Sequence, residues 1–201
     1  QNSDLLICIG TRLNIYQVGY NVKTWARAAK TVVVDIDPEE LKKPILRADM
    51  PVCVDAVEFM RCLLEAATGK QYRKQKHWLG QCQLWKKNYP VVRSEQEKAD
   101  GKVNVYAFMK ALSTRLPESA ITVVTNGSAS VVGSQSYYIK AGDRFIMNCG
   151  LSSMGYGLPA AIGASIGARK PVVCIEGDGS VMMNMQELQT VATNHLPIKL
   201  F

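Results

Sequence analysis

Residues 172–186 read VVCIEGDGSVMMNMQ. Val172, Val173, Cys174 and Ile175 form a β-type run, and Gly177, Asp178, Gly179 and Ser180 make a tight turn behind it. Val181, Met185, Leu188, Val191 and Ala192 then recur at close to a 3.6-residue period, which predicts a helix. Strand, glycine turn and helix together offer backbone N–H groups and a positive dipole end to a phosphate. Gly177 and Gly179 have no side chain to keep phosphate oxygens off the backbone. Asp178 adds the hard oxygen ligand that a Mg²⁺ shared between protein and phosphates requires. The same four residues also make an ordinary turn, so the weight of the motif depends on its surroundings.

The chain has 201 residues, 47% apolar and 20% charged, which suits a globular protein with a proper core. Residues 154–168 are too few and too rich in glycine for a membrane span, and Arg169 and Lys170 close them. The start, Gln1-Asn2-Ser3-Asp4, has no basic signal-peptide region and no initiator Met, and reads as a cut from something longer. Six cysteines are scattered without a Cys-x-x-Cys pair, and only His77 and His195 could join them at a zinc site. A reduced, cytoplasmic protein is the expectation. The net charge is +7, and Lys70, Arg73, Lys74, Lys76, Lys86 and Lys87 lie in a stretch, residues 70–88, without an acid. No nucleic-acid motif accompanies that charge, so it is read as a solvated linker helix; neither nucleic acid nor membrane is an expected partner.

Residues 4–10 (DLLICIG) and 31–37 (TVVVDID) read as buried strands, with a helix-compatible stretch at residues 23–29 between them. This β-α-β unit implies a parallel sheet. Asp35 and Asp37 end the second strand, where a nucleotide ribose is often held, yet no G-x-G-x-x-G follows the first strand. The alternative is that these acids cap the turn at Pro38. Asp55 and Glu58 form a capping-box pattern for a helix whose expected buried face is Ala56, Val57, Met60, Leu63, Leu64 and Ala67. Trp78, Leu79, Cys82 and Trp85 lie on one side of a second helix, and residues 89–103 are polar and irregular. Asn104 caps a third helix with core positions Val105, Phe108, Met109, Leu112 and Leu116, stopped by Pro117. Strands at residues 121–125 and 145–148 run into turns rich in Gly, Ser and Asn, and a helix of small residues (LPAAIGASIGA) follows the second turn. With the opening motif, three successive strand ends deliver such turns, and in a parallel sheet they share one edge. The expected fold is therefore α/β, with parallel sheets and helices on both faces, in two partial domains. The expected division is residues 1–68, a basic linker at 69–103, and residues 104–201.

Three stretches resemble the thiamine diphosphate-dependent enzymes of the acetolactate synthase type. SDLLICIGTRLN with VVVDIDPEEL is similar to the second half of that family's Rossmann-like middle domain. SMGYGLPAAIGA is similar to the segment that holds the aminopyrimidine ring, and EGDGSVMMNMQELQTVATNHLPIK to the diphosphate and metal motif. The resemblance implies a carboligase or decarboxylase, a transferase or lyase, acting on a small 2-oxo acid with thiamine diphosphate and Mg²⁺. It makes Asp178 the metal ligand and sets Gly177, Gly179 and Ser180 against the diphosphate. Ser128 and Ala129 would face the diphosphate from the other side. Ser152, Ser153 and Met154 would lie against the aminopyrimidine, with Met154 wedging the cofactor into a bent shape. A decarboxylase or oxidase of the same cofactor class, or a non-catalytic nucleotide-binding module, are the alternatives.

The likeness has limits that bear on the chemistry. The flavin-associated Arg-Phe-Asp-Asp-Arg run of acetolactate synthases is replaced by Arg12-Leu13-Asn14-Ile15, which removes the basis for expecting FAD. Asn126-Gly127-Ser128-Ala129-Ser130 replaces their usual Asp-Val-Gly-Gln-His. The family's second metal ligand, an Asn one strand further on, and its catalytic Glu, in an N-terminal domain, have no counterpart here. No catalytic residue is expected in this chain: none of Glu39, Glu40, Glu58, Glu65, Glu176 or Glu187 sits in a matching motif. The family builds its site between two subunits, so a homodimer or homotetramer is implied, and these residues alone are expected to be inactive.

Overall fold

A computed structural model describes residues 2–44, 47–72, 74–98 and 101–201; Arg73 of the basic stretch and Ala99 and Asp100 of the irregular one lie outside the described residues. The chain divides into two compact units, residues 1–75 and 76–201.

In the first unit β1 (Leu5–Ile9), β2 (Lys30–Asp35) and β3 (Met50–Cys53) form a parallel sheet in the order β1-β2-β3. The β-branched run Thr31, Val32, Val33, Val34 suits the central strand. β3 is a strand the sequence did not announce. Pro51 interrupts it, and a residue without an N–H is tolerated because β3 is an edge strand. Asp49 fastens its start: the carboxylate accepts the Thr31 N–H at 2.8 Å and hydroxyl at 3.0 Å, and receives Arg47 Nη2 at 2.6 Å. The Thr31 N–H and then the Arg47 guanidinium hold this carboxyl below the usual range. Asp35 and Asp37 behave as turn and cap acceptors, for the N–H groups of Asp37 and Glu39.

Three expectations for this unit are corrected. No helix spans residues 23–29: helical backbone occupies Ile15–Val18 and a 3₁₀ turn Val22–Thr24, and Ala26 at φ +47° breaks any continuation. Helix α1 (Ala56–Ala67) forms and Asp55 caps it by accepting the Val57 N–H at 2.8 Å. The capping box does not close, because Glu58 is taken by Arg61. The expected buried face is also not buried: Val57 is 77% exposed, Leu64 64%, and Met60 and Leu63 over 40%. Periodicity identifies the apolar face, but burial needs a layer over it, and none of the α1 residues is buried.

In the second unit β4 (Ile121–Val124), β5 (Arg144–Met147), β6 (Val172–Ile175) and β7 (Ile198–Leu200) form a parallel sheet in the order β5-β4-β6-β7. β4 pairs in register with both neighbours, Val124 opposite Met147 on one side and Ile175 on the other. Alternation along the strands makes two apolar faces. Val124, Val173 and Ile175 pack with Met109 of α3 (Val105–Arg115) and Val132 of α4 (Gly127–Ser136). Ile121, Val123, Val172 and Cys174 pack with Ala161 of α5 (Gly157–Ala168) on the other. Helices thus cover both faces, as the α/β reading requires.

Leu158, Ala161, Ile162 and Ser165 give α5 its buried face at helical spacing. Burying Leu158 contributes about 1.5–3 kcal/mol. Asn104 caps α3 as expected, accepting from Tyr106 N–H and Ala107 N–H. Val105, expected in the core, is 48% exposed. Trp78 and Trp85 pack edge to face, centroids 5.6 Å apart, on α2 (Lys76–Asn88), and one turn, Ser94–Glu97, forms in the irregular segment.

The single helix expected after the glycine turn is three pieces: Asp178–Val181, a 3₁₀ turn Met182–Asn184, and α6 (Glu187–Thr193). The backbone stays right-handed throughout, but ψ at Val181, Met182, Met185 and Gln186 lies between −32° and −23°, which shifts bonding toward the 3₁₀ pattern. Met185 and Leu188 are exposed.

α5 approaches the sheet edge through Gly157, where a Cβ would stand 2.0 Å from Thr125 Cγ2 and 2.9 Å from the Glu176 carboxylate. Ala normally gains about 1 kcal/mol over Gly in a helix, but overpacking of this severity costs about 1–3 kcal/mol or more. Gly157→Ala is expected to lower stability by about 1–2 kcal/mol, measured by chemical denaturation; an unchanged or higher midpoint would contradict the packing described.

Candidate functional site

Because β4, β5 and β6 run parallel, their C-terminal ends open on one edge, and the chain crosses over β4 between β5 and β6. A crevice at such a crossover is the usual ligand position of open α/β sheets. Here it holds a cavity of about 470 Å³. Ser128, Ala129, Met154, Gly177, Asp178, Gly179 and Ser180 all line it. Ser152 and Ser153 do not; they precede Met154 on the same bend, with Ser152 at φ +51° and its N–H on the Asn148 carbonyl.

The donors around the cavity are unequal. The first turn of α4 has no intrahelical acceptors for its N–H groups. Asn126 occupies the cap position but makes no side-chain cap; its Oδ1 accepts the Thr125 hydroxyl instead. No side chain caps the amides of Gly127, Ser128 and Ala129, and all three residues line the cavity, an arrangement that suits an anion. Gly127 carries φ +54° at this entry, where glycine is at home. Across the cleft Asp178 is exposed, with Oδ1 accepting the Gly179 N–H at 2.8 Å. The Ser180 N–H goes to the Gly177 carbonyl. An oxygen ligand facing an uncapped helix start fits a phosphate group carrying a divalent cation. The remaining wall is apolar and includes Phe108, Ile175 and Phe201, with the two phenylalanine rings 5.5 Å apart.

The sequence reading missed the residue that joins these parts. Glu176 receives the Gly157 N–H on Oε1 at 3.2 Å and the Leu158 N–H on Oε2 at 3.0 Å, both from the first turn of α5. Oε1 also accepts the Ser180 hydroxyl at 2.6 Å, and Ser180 Oγ accepts the Gly155 N–H at 2.8 Å. Asn184 Nδ2 donates to the Gly155 carbonyl at 2.6 Å. An acid directly before a glycine turn was the only available signal.

Residues 1–63 match the central domain of thiamine pyrophosphate enzymes, and residues 125–201 match the C-terminal TPP binding domain of the same enzymes. The chain belongs to the thiamine pyrophosphate enzymes. It is 34% identical over 205 residues to the acetolactate synthase isozyme 2 large subunit of Escherichia coli strain K12, covering 100% of this chain and 35% of that protein. It is 32% identical over 203 residues to acetolactate synthase 1, chloroplastic, of Zea mays, covering 99% and 31% respectively. A probable acetolactate synthase large subunit of Methanocaldococcus jannaschii is 32% identical over 201 residues, covering 97% and 33%. The chain thus spans about a third of the length of the curated relatives it matches. Among its described residues no helix is long and apolar enough to cross a membrane.

The thiols of this thiamine pyrophosphate enzyme chain differ sharply in environment. Burial, and secondarily the Glu176 charge, pushes the Cys174 thiol up to about 12, and burial also raises Cys8. Cys53 and Cys62 are exposed. A raised thiol favours the protonated form, so at pH 8 Cys174 is overwhelmingly the unreactive thiol. Alkylation of the native chain at pH 8, mapped by mass spectrometry, is expected to label Cys53 and Cys62 and to leave Cys174 unmodified until denaturant is added.

Proposed function

We propose that this chain forms the middle and cofactor-binding parts of a carboligase or decarboxylase that uses thiamine diphosphate and Mg²⁺ on a small 2-oxo acid. The observation that carries the reading is the meeting of Asp178, the uncapped start of α4 and Met154 on one cavity. The names of its relatives, acetolactate synthases, support the substrate class. We take the domains as residues 1–68, a linker at 69–103, and residues 104–201.

In this reading Asp178 would hold the metal as a hard carboxylate ligand at the cavity. The Ser128 and Ala129 amides take phosphate oxygens, while Gly177, Gly179 and the buried Ser180 keep the opposite wall free of side-chain bulk. Met154 presents an adaptable apolar side chain beside Gly179, and Ser152 and Ser153 border the aminopyrimidine. When bound, thiamine diphosphate supplies the electron sink that makes decarboxylation of a 2-oxo acid feasible. The chain's own part is to hold and orient that group and to keep one wall of its pocket dry. The catalytic Glu and the second metal ligand would come from outside these residues, in a homo-oligomer with the site between subunits. The cysteine pattern supports a cytoplasmic setting, and the sequence at residues 12–15 supports no flavin role.

Calorimetric titration is expected to give thiamine diphosphate binding that requires Mg²⁺. Loss of an outer partner of a metal site typically costs 10–100-fold in affinity, so Asp178→Ala is expected to cost at least that; binding indifferent to the substitution or to the metal would end this reading. The 201 residues alone are expected to release no CO₂ from pyruvate with cofactor and Mg²⁺ present; cofactor-dependent release would show that the chain holds a complete site.

A further inference from the structure

We propose that Glu176 is a positioning residue that, with Ser180 and Asn184, clasps the bend at residues 154–158 to the turn at residues 177–180 and so preforms the cleft. The inference rests on the coenzyme reading above and concerns residues to which that reading gives no such role.

Glu176 has to satisfy three donors with two oxygens: the Gly157 N–H, the Leu158 N–H and the Ser180 hydroxyl. Two of these are first-turn amides of α5, where no intrahelical acceptor exists and a negative charge is favoured. Only a carboxylate accepts on both oxygens; an amide side chain would turn an NH₂ toward one of the donors. Ser180 carries the connection onward. It is 2% exposed, donates a hydrogen bond from its hydroxyl to Glu176 and accepts from the Gly155 N–H on the same oxygen. Asn184 then holds the Gly155 carbonyl, so this one residue is gripped at both its N–H and its C=O, on two successive peptide groups.

The fit leaves room for nothing else. Gly155 adopts φ +79°, and a Cβ there would stand 2.7 Å from Asn184 Nδ2. A Cβ on Gly157 would stand 2.9 Å from the Glu176 carboxylate. The outcome is at the neighbouring residue: Met154 Cε reaches to 3.4 Å from where a Cβ on Gly179 would be. The side chain proposed to shape the bound cofactor and the turn carrying its metal ligand are therefore held at a fixed spacing by bonds spanning 18–29 residues of sequence. Those bonds join the two segments that meet at the cleft, which Glu176 and Ser180 line, while β4–β6 pairing and the apolar clusters secure the sheet. A device of this kind sets geometry more than it sets overall stability.

The test uses the whole chain, isotopically labelled, as wild type, Glu176→Gln and Asn184→Ala. The readouts are amide hydrogen exchange and Mg²⁺-dependent thiamine diphosphate affinity. Glu176→Gln is expected to speed exchange at Gly155, Gly157 and Leu158 at least tenfold, leave Val123 and Cys174 in the sheet protected, and weaken binding at least tenfold. Asn184→Ala is expected to do the same at Gly155, and carries the test should Glu176→Gln fail to fold. Unchanged exchange at the bend would overturn the clasp. Faster exchange or a lower melting temperature with unchanged affinity would reduce these residues to structural ties and overturn their role toward the cofactor. Wild-type chain that binds no thiamine diphosphate would instead remove the coenzyme reading, and this inference with it; the distinction is made before any variant is measured.

Discussion

The second unit depends on one constraint: β4 pairs in parallel, in register, with β5 and β6 at once. Parallel register sends three successive strand ends to one edge, and the crossover places the turns after β4 and β6 side by side. Residues 126–129 and 176–180, about fifty apart in sequence, become two walls of one cleft for that reason. Shift either pairing by one residue and the apolar faces invert: Val123 and Cys174 would leave α5, and the turns would no longer be level.

The elements around that edge are shaped by how closely they must approach it. α5 is built from small residues, with Gly157 at its start, and it comes near enough to β4 that Thr125 occupies the space of a missing side chain. α4 begins without a side-chain cap because Asn126 is turned to Thr125. An uncapped helix start sacrifices roughly 1 kcal/mol of local stability, and its first-turn residues Gly127, Ser128 and Ala129 line the cavity. The same economy appears in the turn after β6, where short 3₁₀ winding replaces a continuous helix and brings Asn184 round to the bend.

Much of this was legible in the sequence. Runs such as Val172–Ile175 and Ile121–Val124 are apolar on both faces, which is how central parallel strands read, and the capping role of Asn104 followed from its place before a periodic segment. The order of three small-residue turns after three strands was enough to predict that the turns share one sheet edge; Ser128, Ala129 and Met154, which the family resemblance named, line one cavity there with residues 177–180. What failed had a common physical origin. Val57, Leu63 and Leu64 show that periodicity finds a face without saying what covers it. Glu58 chose Arg61 over the backbone because a charged partner lay one turn away. Ala26, at positive φ, ended a helix that its residue types permit. Glu176 was passed over because its three partners lie 4, 18 and 19 residues away, and nothing local marks an acceptor of distant amides.

The grip on Gly155 has a consequence for how such a cleft can diversify. With Gly155, the residue after Met154, fastened at both its N–H and its C=O, the backbone there is a fixed frame, and whatever side chain stands at position 154 sets the bore of the opening. Exchange at that single position can widen or narrow the passage while its walls remain where they are, much as a jeweller changes a stone without recutting the setting.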